Sequence, residues 1–374
     1  MSIKVLNTYR TYFPDPPGGL QEAIRQISFS TSNFGVENRI FTLSPTPQPK
    51  SILFPEAVVT RERSWVAPAS CDLGDWETFK TFSEEVKRSD IVQYHFPWPF
   101  ADVLHWIVRP KIPKVTVYHS DIVRQKFLGM LYTPLMMRTL QDMQAIVATS
   151  PNYLETSPVL QHKKIRDKVR VIPLGIDEKS YHLAQDDGIF SLIGIDKKEP
   201  YFLFLGVLRY YKGVHNLIEA AKGLNAKIVI AGSGSELKAL KQLALESNLK
   251  NVVFAGQVSH QEKIALLRNC YAFVLPSHLR SEAFGMVLVE ASLFGKPMIS
   301  CEIGTGTSFV NKHEETGLVV QPDSTNALRE AMMFLLQHQS VAERVGQAAR
   351  RRYERIFSGE ALGRAYAELY QELC

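Results

Sequence analysis

Ser281-Glu282-Ala283-Phe284-Gly285-Met286-Val287-Leu288-Val289-Glu290 is the stretch that decides how this 374-residue chain folds. It sets two carboxylates on either side of a Phe-Gly break. Upstream, Ala272-Phe273-Val274-Leu275-Pro276-Ser277 reads as a buried strand. Downstream, residues 287–294 read as an amphipathic helix. Glu282 therefore belongs to the loop after a strand, and Glu290 to the helix that follows. The amides of Phe284, Gly285, Met286 and Val287 fall at the helix start, where backbone donors have no intrahelical partner. Such a terminus accepts a phosphate. Carboxylates that bind sugar hydroxyls, beside free amides, make a pocket for a sugar nucleotide. A surface helix carrying two solvated glutamates would share the spacing, so the neighbouring strands have to choose between the two readings.

They favour the pocket. Near-continuous apolar runs at 3–8, 39–43, 91–95, 115–119, 145–149 and 169–173 alternate with helical segments. A second set follows at 201–205, 227–231, 252–255, 272–275 and 298–301. Runs of this kind suit strands buried on both faces, and strand–helix alternation implies parallel sheets with right-handed crossovers. Two sets predict two doubly wound α/β domains, 1–178 and 179–358, with the helix of 359–374 returning to the first. Residues 180–200 lack a period and read as a linker or surface loop. Ligands of open α/β sheets bind beyond the carboxyl ends of the strands, and every motif of interest lies at such an end.

Composition is that of an ordinary globular protein, 45% hydrophobic and 22% charged. The net charge of +5 is too small and dispersed for a nucleic-acid stripe, so no nucleic-acid partner is expected. It is compatible with loose contact to the anionic inner membrane surface. No run approaches a membrane span. The first residues run straight into a strand rather than a leader. The four cysteines are scattered without metal-site spacing. A cytoplasmic location is expected.

The glutamate pair, the Phe-Gly between its members, and Gly295-Lys296-Pro297-Met298-Ile299-Ser300 after it resemble the signature of retaining family 4 glycosyltransferases. The stretches 206–212 and 299–310 look most like bacterial surface-polysaccharide mannosyltransferases. The likeness covers nearly the whole chain and is weakest over 44–85. It implies the GT-B architecture, two Rossmann-like domains facing a central cleft. It also implies transfer of a hexose, mannose from GDP-mannose first, to a hydroxyl of a glycan or lipid-linked glycan acceptor. A UDP-sugar donor, a sugar-nucleotide epimerase and a non-catalytic nucleotide-binding subunit are the alternatives.

By the same resemblance, Glu282 and His119, the latter at the end of its strand, orient the donor sugar, and Glu290 binds ribose. Arg209 and Lys212, flanking a glycine turn, neutralise the diphosphate. Many relatives carry Arg directly after the first glycine of that turn, where this chain has Val207. Val258 and Lys263 are expected to meet the base, the lysine through the O6 and N7 acceptors of guanine. Gly18 and Gly19 supply positive φ and close backbone approach to the donor. Thr305 and Gly306 contact donor hydroxyls. Asp121 either caps a helix or orients His119. Arg124 and Lys126 are surface residues that could meet an anionic acceptor. The aromatics of His95-Phe96-Pro97-Trp98-Pro99 either stack on an acceptor sugar or pack a loop. The chain has no Asp-x-Asp pair to hold a divalent ion, so no metal and no cofactor beyond the donor substrate are expected.

Overall fold

The computed structural model describes residues 2–15, 18–67, 71–122, 126–182 and 186–374, with the side chains of 126–130 excepted. The chain divides into two compact units. One is Met1–Asp177 with Gly359–Cys374, the other Glu178–Ser358.

The first unit is built on an eight-stranded sheet of β1 (Ile3–Thr8), β2 (Val36–Ser44), β3 (Ser51–Leu53), β4 (Val58–Arg63), β5 (Ile91–Phe96), β6 (Lys114–Tyr118), β7 (Ala145–Ala148) and β8 (Val169–Val171). The spatial order is β3-β4-β2-β1-β5-β6-β7-β8. All pairs are parallel except β3 with β4. The order reverses at β1, which has β2 on one side and β5 on the other. β3 and β4 lay in the region of weakest resemblance and had no strand assigned. β4, Val-Val-Thr-Arg-Glu-Arg, carries charges that read as surface, yet Arg61 and Glu62 are buried. Arg61 is held by Asp15, Ser44 and the Thr46 carbonyl, the pairing a buried guanidinium requires.

The second unit has six parallel strands, β9 (Tyr201–Leu205), β10 (Lys227–Ala231), β11 (Val252–Gly256), β12 (Ala272–Leu275), β13 (Met298–Cys301) and β14 (Gly317–Val320). Their order is β11-β10-β9-β12-β13-β14, so the reversal falls between β9 and β12. β14, four residues at the sheet edge, also had no strand assigned. Residues 180–200 are not a plain linker. They include the end of the 3-10 turn Glu178–Tyr181 and the helix Gly188–Ile193, with Tyr181, Ile189 and Phe190 buried.

The final helix, Gly359–Leu373, packs against the helix Gly19–Ser32 within the first unit. Gly363 makes the close approach. A Cβ there would lie 2.2 Å from the Ser30 carbonyl oxygen. Gly363→Val should therefore destabilise the protein by about 1–3 kcal/mol, the usual cost of overpacking a tight contact. Denaturant unfolding of the variant checks this, with an unchanged midpoint as the contrary result.

Candidate active site

The reversal between β9 and β12 is where an open α/β sheet leaves a crevice beyond its strand ends. The two loops bordering it carry Lys212 and Glu282. Lys212 ends the 3-10 turn Tyr210–Lys212 after β9, and Glu282 follows β12. Both are buried, and the Lys212 ammonium donates directly to Glu282 Oε2. Ser277 Oγ donates to the same oxygen at 3.2 Å. Burial alone would push the Lys212 ammonium down. The Glu282 carboxylate outweighs it and holds the group above the usual lysine range. An ammonium has three N–H donors, so two remain after the Glu282 bond. Arg209, three residues earlier, is exposed and has no side-chain partner among the described residues. Its charge acts on Lys212 from nearby. Val207 is exposed and fills no polar role.

The loop bearing Glu282 is braced from β13's side. Thr305 Oγ1 donates to the Glu282 carbonyl at 2.7 Å, and the Gly306 amide to the Ala283 carbonyl at 2.8 Å. Thr305 is wholly buried, and a Cβ on Gly306 would sit 2.7 Å from the Phe284 ring. Thr305 and Gly306, the two residues expected to touch donor hydroxyls, thus also brace the glutamate loop. Phe284 is buried. Gly285 has φ 83°, the left-handed conformation that lets the chain turn into the helix Met286–Leu293. Met286 and Val287 are half-buried in its first turn.

Glu290, on the same helix, is buried. Its Oε1 accepts from Tyr181 O–H at 2.6 Å and from Lys263 Nζ at 2.8 Å. Its Oε2 is buried with no hydrogen-bond partner. A buried carboxylate oxygen without a donor is costly unless a ligand supplies one. Lys263 also reaches Tyr181 Oη at 3.2 Å. Two of its three N–H groups are thus used, so a guanine contact would rest on the third. Its helix, His260–Asn269, starts with a capping box between Ser259 and Glu262, and Val258 lies half-buried in the loop before it. Tyr181 carries no signal in the sequence. A tyrosine in an aperiodic stretch shows its role only once that stretch folds onto Glu290.

In the first unit, His119 follows β6 and is buried. Its Nε2 lies 3.0 Å from His95 Nδ1, and His95 Nε2 lies 3.0 Å from Asn7 Oδ1. Asp121 does not orient His119 through a contact seen here. Its carboxylate accepts from Tyr118 O–H at 2.9 Å and Ser157 Oγ at 2.7 Å. The β5 aromatics are packing. Phe96 stacks on Tyr118, and Trp98 donates to the Asp72 carbonyl. Gly18 is extended at φ −137° and Gly19 opens the helix Gly19–Ser32, so neither uses positive φ. A Cβ on Gly19 would meet nothing within 4 Å, while one on Gly18 would strike Gln21 Oε1 at 2.8 Å. Pro16, Pro17, Arg124 and the Lys126 side chain lie outside the described residues.

Among the described residues one grouping offers metal-ligand atoms, His215, His278 and Asp323, within 4.8 Å of one another. Ligand atoms around a tetrahedral zinc stand roughly 3.3 Å apart, from bond lengths near 2 Å, so this group is looser than a formed site. No helix among these residues is long and apolar enough to cross a membrane.

Two family models cover the chain. Residues 17–180 match the glycosyltransferase family 4 model and residues 187–352 the group 1 glycosyl transferase model. The D-rhamnosyltransferase WbpZ of Pseudomonas aeruginosa is 44% identical over 95% of this chain and 92% of its own length. The O-antigen chain mannosyltransferase C of Escherichia coli is 39% identical over 99% of both. Sucrose-phosphate synthase of Thermosynechococcus elongatus superposes with a TM-score of 0.81 at 22% identity, covering 99% of each chain. Anabaena HepE, solved with UDP, superposes at 0.77 and 18%, covering both chains fully. Matched by both family models and by full-length relatives of this similarity, the chain belongs to the family 4 (group 1) glycosyltransferases and has their GT-B fold.

Proposed function

We propose that the protein is a retaining hexosyltransferase of surface-polysaccharide (O-antigen) synthesis, using a nucleotide diphosphate sugar and a hydroxyl of a glycan or lipid-linked glycan. The observation that carries this is the paired constellation of the second unit. Lys212 is bound to Glu282 with N–H groups to spare, and Glu290 keeps one buried oxygen unpartnered. In this reading Arg209, the spare Lys212 donors and the amides of Gly285 to Val287 bind the diphosphate. They stabilise the charge that grows on it as the bond to the anomeric carbon breaks. The acceptor oxygen bonds to that carbon on the same face. Its proton passes to the departing phosphate oxygen, so no enzyme nucleophile is needed. Glu282 orients the sugar, and Glu290 Oε2 accepts from a ribose hydroxyl.

GDP-mannose is the first donor, supported by the mannosyltransferase relative. GDP-D-rhamnose is the second, supported by the more similar relative. The two sugars differ only at C6, hydroxyl against hydrogen. A site that hydrogen-bonds that hydroxyl rejects the deoxy sugar by roughly 10⁴-fold or more, whereas an apolar pocket separates them by only about 10²-fold or less. Competing the two donors in one transfer assay distinguishes the cases, and a preference for UDP-sugars in the same assay would remove both.

Arg209→Ala should weaken GDP binding by about 1.5–3 kcal/mol, the range of charged hydrogen bonds. Stability should change little, because the side chain is exposed and makes no hydrogen bond or ion pair among the described residues. Lys212→Ala is a poorer probe, since it strands Glu282 as a buried charge. Calorimetry with GDP reads the effect, and an unaltered affinity would remove Arg209 from the phosphate role.

Glu290→Gln should lower GDP affinity, because ribose is common to product and donor. Glu282→Gln should leave GDP affinity near wild type and depress transfer. Identical behaviour of the two variants would refute this division.

Turnover should also persist in excess EDTA, since cations of the protein are assigned the diphosphate. A loss restored only by Mg²⁺ would place a metal there.

A further inference from the structure

His119 is one end of a hydrogen-bonded chain whose direction can be worked out from its other end. The Ser28 carbonyl, in the helix Gly19–Ser32, accepts from Asn38 Nδ2 at 3.1 Å, and Thr31 Oγ1 lies 3.0 Å from the same nitrogen. A backbone carbonyl can only accept, so the Asn38 amide is fixed with its oxygen toward β1. There Asn7 Nδ2 donates to it at 3.2 Å. Asn7 must then present its own oxygen to β5. That oxygen accepts from Gln93 Nε2 at 2.8 Å and lies 3.0 Å from His95 Nε2. The Asn7 oxygen in turn orients the Gln93 amide with its nitrogen toward β1, which leaves the Gln93 oxygen to accept from Tyr370 O–H at 2.8 Å. The 3.5 Å approach of Gln93 Nε2 to His95 Nε2 is that of two donors converging on one acceptor.

An amide oxygen opposite His95 Nε2 requires the proton on that nitrogen. A neutral imidazole with Nε2–H has a bare Nδ1. His119 Nε2, 3.0 Å from that Nδ1, must be the donor. The remaining ring nitrogen, His119 Nδ1, then carries a lone pair and has no partner among the described residues. Both rings are neutral. Burial pushes His119 down to about 3, and burial with the neighbouring ring holds His95 well below the ordinary histidine range.

We propose that Asn38, Asn7 and His95 are a positioning relay that locks His119 in its Nε2–H tautomer, so that Nδ1 accepts a hydrogen bond from a substrate hydroxyl. The assignment of that hydroxyl to the donor sugar rests on the glycosyltransferase reading above. The lone pair excludes a phosphate oxygen or a carboxylate at this nitrogen, because neither can donate. It also excludes His119 as a proton donor to the leaving group. Neither asparagine, nor Gln93, nor His95 was singled out for this role by motif. His95 had been read only as part of an aromatic loop.

The test uses the full-length protein with histidine rings labelled with ¹⁵N, and two-bond proton–nitrogen spectra that report which nitrogen bears hydrogen. His119→Gln and His95→Gln assign the two rings by loss of signal. The expected wild-type result is Nε2–H with bare Nδ1 for both. A His119 proton on Nδ1, or on both nitrogens, would overturn the relay, and this reading needs no variant to fold. His95→Gln can replace both roles, its N–H donating to Asn7 and its oxygen accepting from His119. It should keep the His119 tautomer and hold kcat/KM for the donor within about threefold. His95→Leu offers no acceptor. It should release the His119 tautomer and lower kcat/KM by about 10–100-fold, the scale of a misplaced positioning group, with GDP affinity unchanged. Full activity in His95→Leu would overturn the positioning role. If no donor supports transfer in wild type, the glycosyltransferase reading fails on its own, while the spectra still decide the tautomer.

Discussion

The second unit depends on one buried charge pair. Lys212 and Glu282 reach each other across the point where the sheet order reverses, from the loops after β9 and β12. Each ion alone in that position would carry a desolvation cost of several kcal/mol, which the other offsets. The bracing follows from that. Ser277 adds a donor to the carboxylate, Thr305 and Gly306 pin the glutamate loop through its carbonyls, and Gly285 turns left-handed to launch the helix that carries Glu290. The proposed phosphate chemistry uses two N–H groups that this pair leaves over on Lys212, together with Arg209, whose side chain has no hydrogen-bond or ion-pair partner among the described residues.

Glu290 shows the same economy of donors in a second place. One oxygen is saturated by Tyr181 and Lys263, while the other is buried and bare. The filled oxygen fixes the carboxylate's rotamer.

The two doubly wound sheets were legible in the sequence, because strands buried on both faces need long Val/Ile/Leu/Phe runs and little else satisfies them. The edge strands were not. β4 hides Arg61 and Glu62 behind partners far along the chain, and β14 is four residues long, so neither shows a period. The site residues divide in a similar way. Glu282, Lys212 and His119 were singled out because they lie at strand ends, and Glu290 because of its spacing from Glu282 into the following helix. Tyr181 and His95 were not, since each acquires its role from one partner distant in sequence, Glu290 and Asn7. Thr305 and Gly306 were assigned to the donor because a glycine-rich turn at a strand end resembles a ligand loop. The hydrogen bonds from Thr305 Oγ1 to the Glu282 carbonyl and from the Gly306 N–H to the Ala283 carbonyl add a bracing role that no sequence pattern announces.

Charge is distributed unequally between the two sets of candidate residues, and the inequality suits the proposed reaction. The second unit's candidates include two ion pairs, Lys212 with Glu282 and Lys263 with Glu290. The first unit holds His119 in a chain of neutral amides and imidazoles with no ion in direct hydrogen-bond contact. A neutral ring that only accepts can orient a hydroxyl while leaving the phosphate oxygen free to take the acceptor's proton. Burial alone would keep the ring neutral, but it would not choose between tautomers. The choice is made by the Ser28 carbonyl, whose inability to donate is passed through Asn38, Asn7 and His95 to His119.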